Sequence, residues 1–445
     1  VHPQRQGVLA GSGRACTVCR EKKNPPGSSP VKGIFRCICS IEVSTEKMAE
    51  FQIKSPQPRL FKTLCVALIW LALPATAFET PAKAAYVLDQ TTGTVLLAKN
   101  ADQALPPASM SKLMTLYMAF EAIREGRLAR DERLLVSQHA MNYGGSTLFL
   151  RAGERVKVDD LLRGIIVLSG NDACAVIAEA LSPNGTEAEF SRHMTQRAKQ
   201  LGMQNSSFAN SNGWPDPNHR MSMRDLGILT DHMITEFPEF YSMFAEKEFV
   251  FDENESQNRY NRNPLLGLGL GADGLKTGHT KEAGYGLVGS AKQGDRRIIF
   301  VLSGLNSAKE RAEQSEAIVN WSFRQFAKHK IVSANTVIAS ANVWIGAKST
   351  VGLVADHDLE ILRPVFGNRN LSAEVVYQGP LAAPIKKGAV VAKLIISAEG
   401  LPQQSIPLQA AQDVAQGGFL ERVLTTAKVL IRRLTDNPAK TEAAS

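Results

Sequence analysis

Pro106-Pro107-Ala108-Ser109-Met110-Ser111-Lys112-Leu113-Met114-Thr115 is the stretch on which the fold turns. A helix is predicted to start near Ser109, because Leu113, Leu116, Tyr117 and Phe120 recur at helical spacing and Gly126 supplies a stop. A helix amino terminus carries free N–H groups and positive potential, which suit a developing oxyanion. Lys112 lies three residues after Ser109, hence on the same helix face. A serine hydroxyl is a poor nucleophile without a base. A lysine kept in an apolar, cation-lined site loses basicity and can take that proton. Leu113 and Met114 supply apolar surroundings. A surface serine and lysine at a helix end would show the same spacing, so the rest of the chain must decide.

Two further short motifs settle the context. Ser-x-x-Lys occurs at Ser29/Lys32, Ser44/Lys47 and Ser109/Lys112. Ser-x-Asn occurs at Ser169/Asn171, Ser333/Asn335 and Ser340/Asn342, and Lys-Thr-Gly once, at Lys276-Thr277-Gly278. Only Ser109, Ser169 and Lys276 give the order Ser-x-x-Lys, Ser-x-Asn, Lys-Thr-Gly within one domain. Ser169 and Asn171 end the apolar run Ile165-Ile166-Val167-Leu168, where they would serve equally as a helix cap. Lys276-Thr277-Gly278 reads as strand; Gly278 would let a substrate backbone come close, Lys276 would supply positive field, and Thr277 a hydroxyl for a carboxylate. Other signals fail. Gly269-x-Gly271-x-x-Gly274 lacks the following helix of a dinucleotide site. No His-Glu-x-x-His and no Gly-x-Ser-x-Gly is present, which argues against a zinc peptidase and an α/β-hydrolase. No metal or cofactor is expected.

Outward from these motifs, residues 84–99 read as a hairpin, followed by helices at 158–168, 171–181, 187–201 and 222–235. A second hairpin turns at Gln293-Gly294-Asp295, and a helix at 308–327 closes an α+β domain over 78–330. From 331 to 415 the period switches to two, predicting a small all-β domain with strands at 342–346, 351–355, 373–377 and 390–397. A last amphipathic helix, 417–436, puts Phe419, Leu420, Val423, Leu424, Leu430, Ile431 and Leu434 on one face and Arg422, Lys428, Arg432 and Arg433 on the other. It would dock on the β domain or lie in a membrane interface; its place after Gly417-Gly418 favours the second.

At the other end, Lys54, Arg59 and Lys62 precede the apolar run Leu64 to Leu73 and the small-x-small site Ala75-Thr76-Ala77, which makes 48–77 a signal peptide starting at Met48. Residues 1–47 then read as a non-native or disordered extension, and Cys16, Cys19, Cys37 and Cys39 have poor spacing for zinc. Cys174 is the one cysteine after the signal, so no intramolecular disulfide forms there. The net charge of +8 is diffuse, with no basic run interleaved with aromatics, so no nucleic acid is expected as a partner.

With its flanks, Pro107 to Thr115 resembles the nucleophile helix of the low-molecular-weight penicillin-binding proteins that act as D-alanyl-D-alanine carboxypeptidases. Asp273-Gly274-Leu275-Lys276-Thr277-Gly278-His279-Thr280 resembles their Lys-Thr-Gly strand, and Tyr260-Asn261-Arg262-Asn263 and Arg311-Ala312-Glu313 two of their arginine segments. The resemblance implies a penicillin-binding, β-lactamase-like transpeptidase domain, then the β domain and the terminal helix. It implies that Ser109 is acylated with Lys112 as base, that Ser169 relays the proton to the leaving D-alanine, and that Asn171 positions the substrate. Lys276, Arg262 and Arg311 would receive the terminal carboxylate, and the N–H groups of Ser109 and His279 an oxyanion. Gly144-Gly145-Ser146-Thr147 would be a loop that affects deacylation, and Asn210-Ser211-Asn212-Gly213-Trp214 departs from the family's usual His-Gly-Leu ending. Implied partners are a peptidoglycan stem peptide ending in D-Ala-D-Ala, β-lactams, and the periplasmic face of the inner membrane, to which the helix would attach the protein. A D,D-endopeptidase of the same fold, or an idle penicillin-binding scaffold, is the alternative; a β-lactamase lacks its Glu-x-x-Leu-Asn-type segment here.

Overall fold

The computed structural model describes the backbone of residues 19–21 and 33–39, together with 78–251, 258–365, 371–398, 401 and 403–418. The signal segment 48–77, and all but the first two residues of the terminal helix 417–436, lie outside the described residues. Among the described residues no helix is long and apolar enough to cross a membrane. The chain divides into two units, one running from Thr76 to Ala327 with Pro364–Phe366, the other built on Lys328–Arg363 and the chain from Gly367.

In the first unit, β1 (Ala84–Asp89) and β2 (Thr94–Lys99) pair antiparallel. β3 (Ala272–Thr280), β4 (Gly284–Gln293) and β5 (Arg296–Leu305) complete a five-stranded sheet in the order β2-β1-β5-β4-β3. The two tight turns use glycine where the chain needs positive φ: Gly93 at 67° and Gly294 at 61°. β3 is therefore an edge strand, with one side of its backbone unpaired by the sheet. Asp89 and Arg296, both buried, join β1 to β5 through two bonds at 2.9 and 2.8 Å, and Arg296 also donates to the Phe326 carbonyl.

The segment that carries Ser109 is helical where expected, with a tighter first turn. Ala108–Ser111 is a 3₁₀ turn, and the α-helix, α1, runs Lys112–Arg124. The helix carries no single apolar stripe. Leu113, Met114, Leu116, Tyr117, Ala119, Phe120 and Ala122 are all buried, so the helix is apolar on every side and threads the core. Phe120 stacks on Phe240, rings 4.6 Å apart, and three helices pack around α1: α2 (Asn171–Leu181), α3 (Glu187–Gln200) and α4 (Met223–Glu236). The expected helical segment over 158–168 is present but changes form: Val158–Arg163 is α-helical, Gly164–Leu168 widens into a π-helical turn, and Ser169 caps it in a left-handed conformation. α5 (Ala308–Gln325) covers β4 and β5.

The second unit is a β domain. β6 (Val337–Trp344), β7 (Thr350–Val354), β8 (Leu371–Gly379), β9 (Val390–Ala398) and β10 (Gln404–Ala410) form one sheet in the order β8-β9-β10-β7-β6. Its core gathers Val351, Leu353, Val375, Leu394 and Leu408 from alternate strand positions. Within 1–47, expected to be a non-native or disordered extension, two short segments carry strand structure. Gly33–Cys39 is a strand that pairs antiparallel with β8, Gly33 opposite Gly379 and Cys39 opposite Ala373, and Cys19–Glu21 pairs with it in turn. The run Ile34-Phe35-Arg36-Cys37-Ile38 suits a pleated strand, and the edge of β8 offers unpaired backbone groups to complete.

Candidate active site

Lys112 is the centre of the site. Its side chain is 0% exposed, and its Nζ reaches three oxygens: Ser109 Oγ at 2.9 Å, Asn171 Oδ1 at 2.7 Å and the Asn212 carbonyl at 2.7 Å. Asn171 is fixed in this sense because its Nδ2 donates to the Gly144 carbonyl at 2.8 Å. Two of the three oxygens can only accept. A neutral amine has two N–H donors and one lone pair, so with Asn171 and the Asn212 carbonyl taking the donors, the lone pair is left for the Ser109 hydroxyl. Burial pushes the ammonium from its ordinary 10.5 down to about 8; the charge of Arg262 acts in the same direction, while Asp172 and Glu187 oppose it.

Two left-handed residues shape the turns that bring these groups together. Ala108 has φ 49° and Ser169 φ 67°, a conformation that costs a residue with a Cβ on the order of 1–3 kcal/mol and marks sites where surrounding structure enforces it. Ser169 is buried, but its hydroxyl is not among the partners of Lys112 Nζ. Asn171 begins α2, with its N–H on the Ser146 carbonyl at 2.7 Å. The next residue, Asp172, turns its carboxylate to the N–H groups of Leu148 and Leu150 and so pins the 144–150 loop against α2.

β3 forms the opposite wall. At Gly278 a Cβ would lie 2.9 Å from the Pro107 carbonyl and 3.0 Å from Met110 Cγ, so the glycine admits the turn that carries Ser109. Lys276 is buried, its Nζ is 3.4 Å from the Thr277 carbonyl, and burial, with the charges of Lys112 and Arg262 added, holds its ammonium far below the usual lysine range. Thr277 is buried beside it, whereas His279 is exposed and its ring stacks on Tyr285 at 3.9 Å. Tyr285 in turn lies under the Arg311 guanidinium at 5.8 Å.

Arg262 and Arg311 lie next to one another. Arg262 donates to Ser146 Oγ at 2.7 Å, and buried Arg311 reaches the Arg262 carbonyl at 3.4 Å while its Nε has no partner. Among the described residues neither arginine, nor Lys276, has an ion-pair partner. Arg262, Arg311 and Lys276 thus bring unpaired basic groups to one place, a setting that favours an anion. Among the described residues no cluster of His, Cys, Asp and Glu could hold a metal ion.

The family model described as D-alanyl-D-alanine carboxypeptidase matches residues 72–307, more than half of the chain. The chain belongs to the D-alanyl-D-alanine carboxypeptidase family. A second model, the C-terminal domain of penicillin-binding protein 5, matches 326–416, which is the β domain of this family member. The chain is 35% identical to the D-alanyl-D-alanine carboxypeptidase DacC of Escherichia coli over 77% of its own length and 86% of that protein. It is 32% identical to DacF of Bacillus subtilis, covering 81% of this chain and 96% of that one. Among solved structures it is similar to penicillin-binding protein 5 of Haemophilus influenzae, with 34% identity, a TM-score of 0.68, and 77% of this chain and 99% of that chain covered.

Several residues that complete this carboxypeptidase-family site carry no motif. Asn212 contributes a backbone carbonyl, which no side-chain pattern reveals. Its placement depends on Gly213, at φ 81°, where a Cβ would sit 1.9 Å from the Ala108 carbonyl. Asp172, Glu187 and Ser211 are ordinary polar residues in sequence, and only the fold turns them inward.

Proposed function

We propose that the chain is an exported serine D-Ala-D-Ala carboxypeptidase that removes the terminal D-alanine from peptidoglycan pentapeptide stems through an acyl-enzyme on Ser109. The observation that carries it is the Lys112 Nζ held by two acceptors with its remaining contact on Ser109 Oγ. Ser109 Oγ attacks the carbonyl carbon of the penultimate D-alanine, and its proton passes to Lys112 Nζ. The oxyanion is received by the N–H groups of Ser109 and of His279 on the edge strand β3, along which the peptide lies as an added strand. Ser169 relays a proton to the departing amine, and water then hydrolyses the Ser109 ester, with Lys112 again taking a proton. Asn171 lines the peptide, while Lys276, Thr277, Arg262 and Arg311 hold the terminal carboxylate. A β-lactam enters the same path and stays as the acyl group. Incubation with a pentapeptide ending in D-Ala-D-Ala should release one D-alanine and leave a tetrapeptide; cleavage of cross-linked dimers alone would assign the endopeptidase activity instead.

The cations give a sharper test. Arg311→Ala is expected to lower kcat/KM for peptides with a free terminal carboxylate by roughly 10- to 100-fold, the scale of one charge-assisted bond. A depsipeptide analogue lacking that carboxylate should lose far less. Equal losses for both would make Arg311 a packing residue over Tyr285.

We further propose that residues 417–436 attach the enzyme to the periplasmic face of the inner membrane. An amphipathic helix gains from its buried apolar face and about 1 kcal/mol per Lys or Arg near anionic lipid. Deleting residues 417–445 is expected to move the enzyme to the soluble fraction while hydrolysis of a small peptide continues. A truncated protein that still pellets with membranes would end this reading.

A further inference from the structure

Glu187 opens α3, yet it does not face solvent as a first-turn acid ordinarily does: it is 7% exposed. Four donors converge on its carboxylate. Ser211 N at 2.8 Å and Ser211 Oγ at 2.5 Å donate to Oε1, and the Tyr143 hydroxyl at 2.6 Å and His139 Nε2 at 2.7 Å reach Oε2. On its other side the Ser211 peptide is held by α1, because Thr115 Oγ1 donates to the Ser211 carbonyl at 2.5 Å. The next carbonyl along the chain is that of Asn212, on Lys112 Nζ. We infer that Glu187 is a positioning residue for the base: through Ser211 it holds the Asn212 carbonyl in place, and its negative charge tunes the basicity of Lys112. This rests on Lys112 acting as the base of Ser109.

The electrostatics agree with the geometry. Burial by itself would raise the Glu187 carboxyl pKa, but the donors bring it below the ordinary value, so the group is ionised at neutral pH. That charge favours the ammonium form of Lys112. The other titratable groups that face Lys112 are Asp172 and Cys174 on α2, Arg262, Lys276 and His219. Those that face Glu187, besides Lys112, are His139, Tyr143, Glu179, Cys174 and His219.

The test is the rate of Ser109 acylation by a fluorescent penicillin, followed from neutral to alkaline pH in the full chain. For Glu187→Ala the alkaline plateau should fall about 10²-fold, the scale of a misplaced catalytic group, and the midpoint should move toward acid because a nearby negative charge is gone. In Glu187→Gln the amide oxygen still accepts from Ser211, so most of the plateau should return while the midpoint stays shifted. A wild-type midpoint in Glu187→Ala, or a plateau in Glu187→Gln as low as in the alanine variant, overturns the inference. If Glu187→Ala fails to fold, the midpoint of Glu187→Gln decides alone. A wild-type protein that no penicillin labels at Ser109, read by mass spectrometry, would instead overturn the proposed function itself.

Discussion

Replacing Ser109 with alanine is expected to reduce both covalent penicillin labelling and D-alanine release to background, a loss on the order of 10⁶-fold if the nucleophile and its base act as one unit. The expectation follows from what else stands on that wall. Two other hydroxyls occur on the same segment, Ser111 and Thr115, but each is committed elsewhere. Ser111 Oγ is 2.7 Å from His219 Nε2, and Thr115 Oγ1 donates to the Ser211 carbonyl. Both residues are fully buried, whereas Ser109 is partly exposed. No neighbouring hydroxyl can therefore substitute by a small shift of the turn. The fold should survive the change, since Ser109 is partly exposed and alanine removes only its hydroxyl, which bonds to Lys112. Thermal unfolding close to wild type, with no label by mass spectrometry after incubation with penicillin, is the expected pair of results. A labelled Ser109→Ala protein would move the nucleophile to another residue.

How far the sequence discloses this site depends on the kind of information each part carries. The motif residues are legible because catalysis needs particular side chains at fixed spacing: Ser109 and Lys112 must share one face, and Ser169 and Asn171 must follow a buried run. The hairpins are legible because Gly93 and Gly294 meet a backbone requirement that few other residues satisfy. Groups that act through their backbone or by burial are a different matter. Asn212 acts through its carbonyl, which is the same in every residue. Glu187 looks like a solvated helix start until the packing of α1 and α2 against α3 closes over it. The π-helical turn before Ser169 and the 3₁₀ turn at Ala108–Ser111 interrupt patterns whose apolar content suits continuous helices, because the sites they build override local propensity. The contact of Gly278 with Pro107 and Met110 belongs to tertiary packing that no local window contains.

The pH dependence of acylation should report Lys112 directly. In the proposed mechanism Ser109 needs a base with a free lone pair, so acylation should track the neutral fraction of Lys112. With its ammonium lowered from 10.5 to about 8, roughly a tenth of the molecules are competent at pH 7. At the ordinary lysine value the competent fraction would be only a few in 10⁴, so burial raises it by roughly 10²- to 10³-fold. The sign is fixed: a lysine whose pKa is depressed gains the active form as pH rises, so the rate of acylation should climb about tenfold per unit below pH 8 and level above it. Lys112→Arg separates a base from a mere positive charge. Arginine keeps the charge and the reach but does not give up its proton at accessible pH. It should therefore lose nearly as much as Lys112→Ala, several orders of magnitude in acylation, and the alkaline rise should vanish in both. Stopped-flow acylation of the wild type and the two variants across neutral to alkaline pH makes the comparison. An arginine variant that still acylates with a flat profile would mean that position 112 stabilises the oxyanion by charge alone, and the base would then have to be sought among groups that can approach Ser109 Oγ, with Ser169 the first to examine.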